Sequence, residues 1–198
     1  MRTIQKGPEP ATLTQHRQQP HADYDNYAGK AALRQALVAE QRDLCCYCQS
    51  RIQATPEGMK IEHWQCQADH PGRQLDYNNL LGACLGGHGR PEREQHCDTR
   101  KGNNGLCFSV SDPAHPIERQ IRFRGDGTIT ADDSDIAEAI NAVLNLNLPR
   151  LVSNRKAVLA AFQQSLRDGR HVDPSRELPR WDGSAPGALP EFAQVVVY

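Results

Sequence analysis

The first strongly periodic stretch of the chain covers residues 30–44. Leu33, Leu37 and Leu44 recur there at helical spacing, and alanine and glutamine fill many of the remaining positions. An apolar period of 3.6 residues built from good helix formers predicts an amphipathic helix. This helix would lead the chain directly into a cysteine-rich segment that begins at Cys45.

Three further elements are predicted in the second half of the chain. Residues 120–130 alternate apolar and polar positions on either side of Gly125-Asp126-Gly127, a pattern typical of a β-hairpin. Residues 132–148 and 150–166 each carry an apolar face at helical spacing, and Pro149 separates them. We therefore expect two consecutive helices, the second of which would end near Gly169.

The two ends of the chain lack such periodicity. Residues 1–29 contain three prolines and many polar positions, so we expect an irregular arm. Residues 173–190 are rich in proline and glycine and are expected to be extended. The apolar run at residues 195–197 could then add an edge strand.

Together these patterns predict a single α+β domain over residues 1–198. Its core would lie at 40–107, with a helical extension at 132–170 and an extended tail at 171–198. Outside the core the fold would be mostly helical. Within the core, glycine, proline, cysteine and histidine are frequent and apolar periodicity is weak. Such a segment rarely packs on apolar contacts alone, which favours a structural metal.

Composition and charge narrow the possible functions. The 198 residues are 38% hydrophobic and 6% aromatic with a formal net charge of −1, so the chain has no overall attraction for nucleic acid. Neither a secretory signal nor an apolar run of membrane-spanning length is visible, so we expect a cytosolic protein. Its seven cysteines would then be thiols or metal ligands and not disulfides.

The cysteine spacing indicates a zinc site. Cys45 and Cys48 form a C-x-x-C pair that can grip one tetrahedral Zn²⁺, and Cys84 with Cys97 would complete a four-cysteine set. His88 and His96 are alternatives for the second pair, and Cys46 competes within the first. Cys66 and Cys107 are interpreted as small buried residues.

Candidate catalytic residues lie between and beside these cysteines. A strand-like run carries Glu62 and His63, and the following segments contain Asn79 and then Asp98 with Lys101. The order is C-x-x-C, acid-His, Asn-Leu-Leu-x-x-Cys and Cys-Asp-x-x-Lys. In this order the chain resembles the HNH endonuclease family, which implies a zinc-stapled ββα-metal core with flanking helices.

The resemblance also implies roles for these residues. His63 would be the general base that activates water, and Asn79 (or Asn78, in another register) would orient it. Glu62 and Asp98 would ligate the catalytic cation. These oxygen donors favour Mg²⁺ or Mn²⁺. Lys101 lies one helical turn after Asp98 and would meet a phosphate.

Nucleic-acid contacts are expected from a local basic patch formed by the following residues: Arg90, Arg93, Arg100 and Lys101. The segments Glu40-Gln41-x-x-Leu-Cys-x-Tyr-Cys and Leu144-Asn145-Leu146-Asn147-x-Pro149 further resemble the PtuB-like HNH subunit of Septu-type anti-phage systems, also found beside retrons. This resemblance implies hydrolysis of DNA together with an ABC-type ATPase subunit, and possible association with a retron RNA/DNA complex.

Two other functions are compatible with the sequence. The chain could be a non-catalytic zinc-binding adaptor, in which Glu62, His63 and Asp98 have no chemical role. It could also be a nuclease toxin directed at RNA, which shares the same catalytic residues. Cleavage assays with divalent cations separate the first alternative from a nuclease, and parallel assays on tRNA and duplex DNA separate the second.

Overall fold

A computed structural model describes residues 1–167 and 173–197. These residues form seven α-helices and two small antiparallel sheets, which confirms the expected α+β class. The helices are α1 Ala11–Arg17, α2 Lys30–Glu40, α3 Cys97–Lys101, α4 Ser134–Glu138, α5 Pro149–Arg167, α6 Pro174–Asp182 and α7 Gln194–Val197. The strands are β1 Lys60–His63, β2 Leu80–Ala83, β3 Ile121–Phe123 and β4 Ile129–Ala131.

The first sheet carries the predicted acid-histidine pair. Strand β1 pairs with β2 so that Glu62 lies opposite Leu81 and His63 lies opposite Leu80. All four residues of β2 are buried. Because neighbouring side chains of a strand point to opposite faces, Glu62 and His63 enter different surroundings on the two sides of this sheet.

Helix α2 buries the predicted apolar face through Leu33 and Leu37 but ends at Glu40, four residues before the predicted end. Arg42 and Asp43 have φ values of 57° and 64°, a left-handed conformation that no α-helix continues. The buried Gln41 side chain bonds both the N–H and the carbonyl of Gly82, at 2.6 and 2.7 Å. The end of α2 is therefore fixed to β2.

The second sheet is the predicted hairpin. Strands β3 and β4 pair across a turn that contains Gly127, whose φ of 89° favours glycine. Helix α4 continues as a π-helical turn over Ala139–Val143, and α5 starts at Pro149, one residue before the predicted start. The fully buried Arg155 of α5 donates to the Gly127 carbonyl at 2.6 Å, which joins the C-terminal helix to the hairpin.

The predictions for the two ends were wrong in part, because three helices lie there and no edge strand forms among the described residues. The N-terminal arm contains α1, which buries Leu13 and His16. The tail contains α6, whose start is capped by the Asp173 carboxylate, and residues 194–197 form α7 in place of a strand. Proline at the first helical positions is compatible with a helix, so the proline content did not indicate extension. Gly169 lies outside the described residues.

One cluster of buried side chains runs through the described parts of the chain. It includes Ile4 near the N-terminus, Leu33 of α2, Leu81 of β2, Ile140 of the π-helical turn and Phe192 before α7. No helix among the described residues is both long enough and apolar enough to cross a membrane.

Candidate active site and metal centre

The four cysteines predicted to bind zinc lie together. The sulfur atoms of Cys45, Cys48, Cys84 and Cys97 all lie within 4.8 Å of one another, and all four side chains are buried. Cys45 and Cys48 come from the segment after α2, Cys84 follows β2, and Cys97 begins α3. Four thiols at this separation could hold one metal ion, and the set is consistent with structural zinc.

The thiols differ in their ease of ionisation. Burial by itself would raise the pKa of Cys45, but sulfur hydrogen bonds outweigh burial and hold this pKa well below its ordinary value. Burial raises the pKa of Cys97 well above its ordinary value. Because a zinc ion binds thiolates, binding would remove the remaining protons and stabilise the buried negative charge.

His96 lies next to the cysteine cluster but outside the set of four sulfurs. Arg150 Nη2 lies 2.9 Å from His96 Nε2, which must accept because a guanidinium has no acceptor. The ring hydrogen is then on Nδ1, which lies 3.1 Å from Cys97 Sγ and can donate to it. His96 therefore supports a cysteine sulfur, and the exposed His88 is no part of the cluster.

The three remaining cysteines have separate environments. Cys46 is buried, and burial raises its pKa well above the ordinary value. Cys66 is buried as expected, and its sulfur lies 3.2 Å from Asp69 Oδ2. Cys107 is exposed, so its interpretation as a buried residue was wrong. Cys107 lies six residues after α3, in a stretch that contains Gly102 and Gly105. No apolar period in this stretch indicates which side chains are buried.

Glu62 is a buried carboxylate with two defined partners. Its Oε1 accepts a hydrogen bond from the Tyr47 hydroxyl at 2.7 Å and pairs with Lys101 Nζ at 3.0 Å. The Lys101 side chain is fully buried, and its ammonium also donates to the His63 carbonyl at 3.1 Å. In this structure the Lys101 ammonium therefore faces Glu62 and not the solvent.

Burial raises the pKa of Glu62 well above its ordinary value, and the nearby Asp98 carboxylate raises it further. Lys101 and Tyr47 act in the opposite direction. Asp98 itself is partly exposed on α3, and Lys60 Nζ lies 3.3 Å from its Oδ2. Two carboxylates thus share a small region in which two lysines supply positive charge.

His63 occupies the other face of β1. Its Nε2 lies 3.0 Å from the Gln74 carbonyl oxygen, and its ring meets the Tyr24 ring edge to face with 4.5 Å between centroids. Burial lowers the pKa of His63 below its ordinary value. The imidazole is therefore oriented on one side and is predominantly neutral at pH 7.

Asn79 is fully buried and holds the loop between the two strands. Its Oδ1 accepts from the Gln65 backbone N–H at 2.7 Å, and its Nδ2 donates to the Gln65 and Arg73 carbonyls. Gln74, which contacts His63, follows Arg73 directly, so Asn79 fixes the segment that orients the imidazole. Asn78 is exposed, with its backbone N–H bonded to Asp76.

The expected basic patch is largely paired with acids of its own segment. Arg90 and Arg93 lie 3.5 and 3.8 Å from Glu94 oxygens, and Arg100 Nη1 lies 2.6 Å from Glu92 Oε1. Exposed pairs of this kind are weak. They nevertheless lower the local positive charge available to a polyanion.

Sequence reasoning missed three contacts of the site, those made by Tyr47, Tyr24 and Gln74. Tyr47 lies inside the C-x-x-C pair, where an aromatic residue could have indicated a packed side chain. In the structure this side chain is fully buried. Tyr24 belongs to a segment interpreted as an irregular arm. Gln74 contributes only its backbone carbonyl, for which side-chain identity carries no signal.

A scan against protein-family models gives no match for this chain, and a search of curated proteins gives none either.

Proposed function

We propose that the protein is a metal-dependent endonuclease of the HNH type, with His63 as its general base. The observation that carries this proposal is the orientation of His63 through Nε2, together with the Asp98 carboxylate, whose charge acts on both His63 and Glu62. A carbonyl oxygen can only accept, so Nε2 carries the ring hydrogen and Nδ1 carries the lone pair. A neutral imidazole with a free lone pair is the form that a general base requires.

The proposed architecture is a ββα core stapled by zinc. Strands β1 and β2 and helix α3 follow one another as a ββα unit requires, with Glu62 and His63 on the first strand and Asp98 on the helix. The cysteine cluster links the segment before this unit, which carries Cys45 and Cys48, to two points within the unit. These points are Cys84, which follows β2, and Cys97, which begins α3. A metal there would hold α3 against the sheet.

The carboxylates suit a hard divalent cation. The negative charges of Glu62 and Asp98 repel each other, and this repulsion raises the pKa of the buried Glu62 carboxyl. A cation held by both would favour the ionised form of each, and their oxygen donors match Mg²⁺ or Mn²⁺. When bound, the cation would neutralise charge on the scissile phosphate and stabilise the leaving oxygen.

The chain's own residues would then perform the proton transfer. His63 Nδ1 accepts a proton from water as the water oxygen bonds to phosphorus, and the bond from phosphorus to the leaving sugar oxygen breaks. Gln74 holds the ring through Nε2, and Asn79 fixes the segment that contains Gln74. Tyr47 and Lys101 hold the Glu62 carboxylate in place.

The test is plasmid cleavage by wild type and His63→Ala, each with Mg²⁺, with Mn²⁺ and with chelator. Loss of a general base lowers the rate by roughly 10²- to 10⁴-fold, so cutting should fall to that extent. His115→Ala is the matched control, because His115 is exposed and pairs with Asp112. Cutting by His63→Ala at the wild-type rate would show that the assignment is wrong.

We also propose DNA as the substrate and an ABC-type ATPase as a partner, on the basis of the resemblance to the Septu subunit. A net charge of −1 leaves the isolated chain with little attraction for a polyanion, which a partner could supply. The cleavage assay is therefore run with and without the ATPase, on duplex DNA and on tRNA. Stoichiometric zinc without cleavage under every condition would favour the adaptor function.

A further inference from the structure

The rim of the candidate site carries two cations in addition to the lysines paired with Glu62 and Asp98. Lys30 and Arg34 lie one helical turn apart on α2 and therefore on the same face. Both are half-buried. This face meets the segment that contains Tyr24, so the cations lie near His63 although they are about thirty residues away in sequence.

Tyr24 connects this pair of cations to His63. The Tyr24 ring contacts the His63 ring at 4.5 Å between centroids, and Lys30 Nζ lies 4.6 Å from the centroid of the same Tyr24 ring. Lys30 Nζ also donates to the Asp25 carbonyl at 3.3 Å. The ammonium is thus separated from the imidazole by no more than one aromatic ring.

Arg34 has an unsatisfied donor. Its Nε is buried, and within residues 1–167 and 173–197 it has no hydrogen-bond partner. Arg34 is also the charged group that acts most strongly on Tyr24, where burial raises the pKa of the phenol to about 12 and Arg34 opposes the rise. A buried donor without a partner is costly unless a ligand supplies the acceptor.

The neighbouring cations are already neutralised. Lys60 pairs with Asp98, and Lys101 pairs with Glu62. The exposed Asp25 is the acidic side chain of this segment that acts on both Tyr24 and His63, and its own carboxylate lowers the positive charge of the rim. Unlike those two lysines, Arg34 and Lys30 form no ion pair with a carboxylate of the described residues and therefore have charge to offer an anion.

We propose that Tyr24, Lys30 and Arg34 form a phosphate-binding rim that holds a polynucleotide backbone beside the phosphate attacked at His63. The proposal rests on the proposed nuclease function and names the surface that binds its substrate. A guanidinium presents several N–H donors in a plane and binds phosphate oxygens through two of them. The ammonium of Lys30, held over the Tyr24 ring, adds a second charge at a fixed position.

The test is binding of a fluorescein-labelled single-stranded DNA oligonucleotide, measured by anisotropy in chelator so that no cutting occurs. Arg34→Ala should weaken binding about tenfold at low salt. It should also reduce the slope of log K against log salt by about 0.7, which corresponds to one phosphate contact on single-stranded DNA. Arg34→Lys keeps the charge but loses the planar pair of donors, so it should keep the wild-type salt slope and bind with an affinity between those of wild type and Arg34→Ala. Arg124→Ala is the matched control on the β3–β4 hairpin and should bind within about twofold of wild type.

A second variant keeps the test decisive if Arg34→Ala fails to fold. Asp25→Asn removes an exposed acid and should tighten binding several-fold, because the rim gains net positive charge. Weaker binding by Asp25→Asn would overturn the proposal, as would wild-type binding by a folded Arg34→Ala or equal losses in Arg34→Ala and Arg124→Ala.

The two proposals fail in different ways. Wild type that binds the oligonucleotide through Arg34 but does not cut in the presence of any divalent cation would support the rim and overturn the nuclease. Wild type that cuts, with an unchanged KM in folded Arg34→Ala, would overturn the rim and support the nuclease.

Discussion

At the residue scale, the pairing of Glu62 with Lys101 has a direct consequence for stability. Both side chains are buried, and the pair also includes the Tyr47 hydroxyl. Removing one member of a buried ion pair leaves the other member charged and without compensation. Lys101 should therefore matter for folding whether or not it also contacts substrate.

Lys101→Met should destabilise the protein by about 3–5 kcal/mol, the usual cost of breaking a buried pair from one side. Chemical denaturation monitored by circular dichroism measures the change. The double variant Lys101→Met with Glu62→Gln should recover much of the loss, because it removes the buried charge along with its partner. Equal stabilities for the single and double variants would contradict this interpretation.

At the scale of single elements, aspartate side chains cap the starts of α4 and α6. Asp133 Oδ1 accepts from the backbone N–H groups of Asp135 and Ile136 at 2.9 and 3.0 Å, which starts α4. The sequence indicates this cap, since an aspartate precedes the apolar face of the predicted helix. The end of α2 is different, because it depends on Gln41 reaching Gly82 in β2.

Asp133→Ala should lower the free energy of unfolding by about 1 kcal/mol, because two helix N–H groups lose their acceptor. Asp132→Ala is the matched control. Its carboxylate pairs with Arg122 at the surface, where both side chains are more than 70% exposed and such pairs contribute little. Thermal unfolding of both variants compares the two. An equal loss of stability from both substitutions would argue against the cap.

At the scale of the whole molecule, the cysteine cluster joins parts of the chain that are far apart in sequence. The α2 exit, the end of β2 and the start of α3 meet there, about fifty residues apart at the extremes. The strands of the adjoining sheet have only four residues each. Two short strands are marginal by themselves, so a metal at this point should stabilise the entire region.

Wild-type protein should contain one zinc ion per chain, and Cys84→Ser should lose it with a fall in Tm of about 10 °C or more. Cys107→Ser makes the same chemical change at an exposed position and should retain both the metal and the Tm. Metal analysis and thermal unfolding of the three proteins provide the measurement. Full zinc occupancy in Cys84→Ser would require a different ligand set.

The sequence predicted the elements that depend on local interactions and missed those that depend on contacts between distant parts of the chain. The β3–β4 hairpin and helix α5 were predicted closely, because a turn dipeptide and an apolar period are local signals. The same is true of the C-x-x-C pair. Helices α1, α6 and α7 were missed, because α1 and α7 are short and because the prolines at the start of and within α6 indicated an extended segment.

By itself the sequence determined which groups could bind metal, transfer protons or start a helix, because those properties belong to residue types and short spacings. The tertiary structure alone decided how the groups are used. It brought Cys84 and Cys97 to the C-x-x-C pair, buried Lys101 against Glu62 and placed Tyr24 on His63. Charge, pKa and hydrogen bonding depend on spatial neighbours, and these neighbours are separated in sequence by tens of residues.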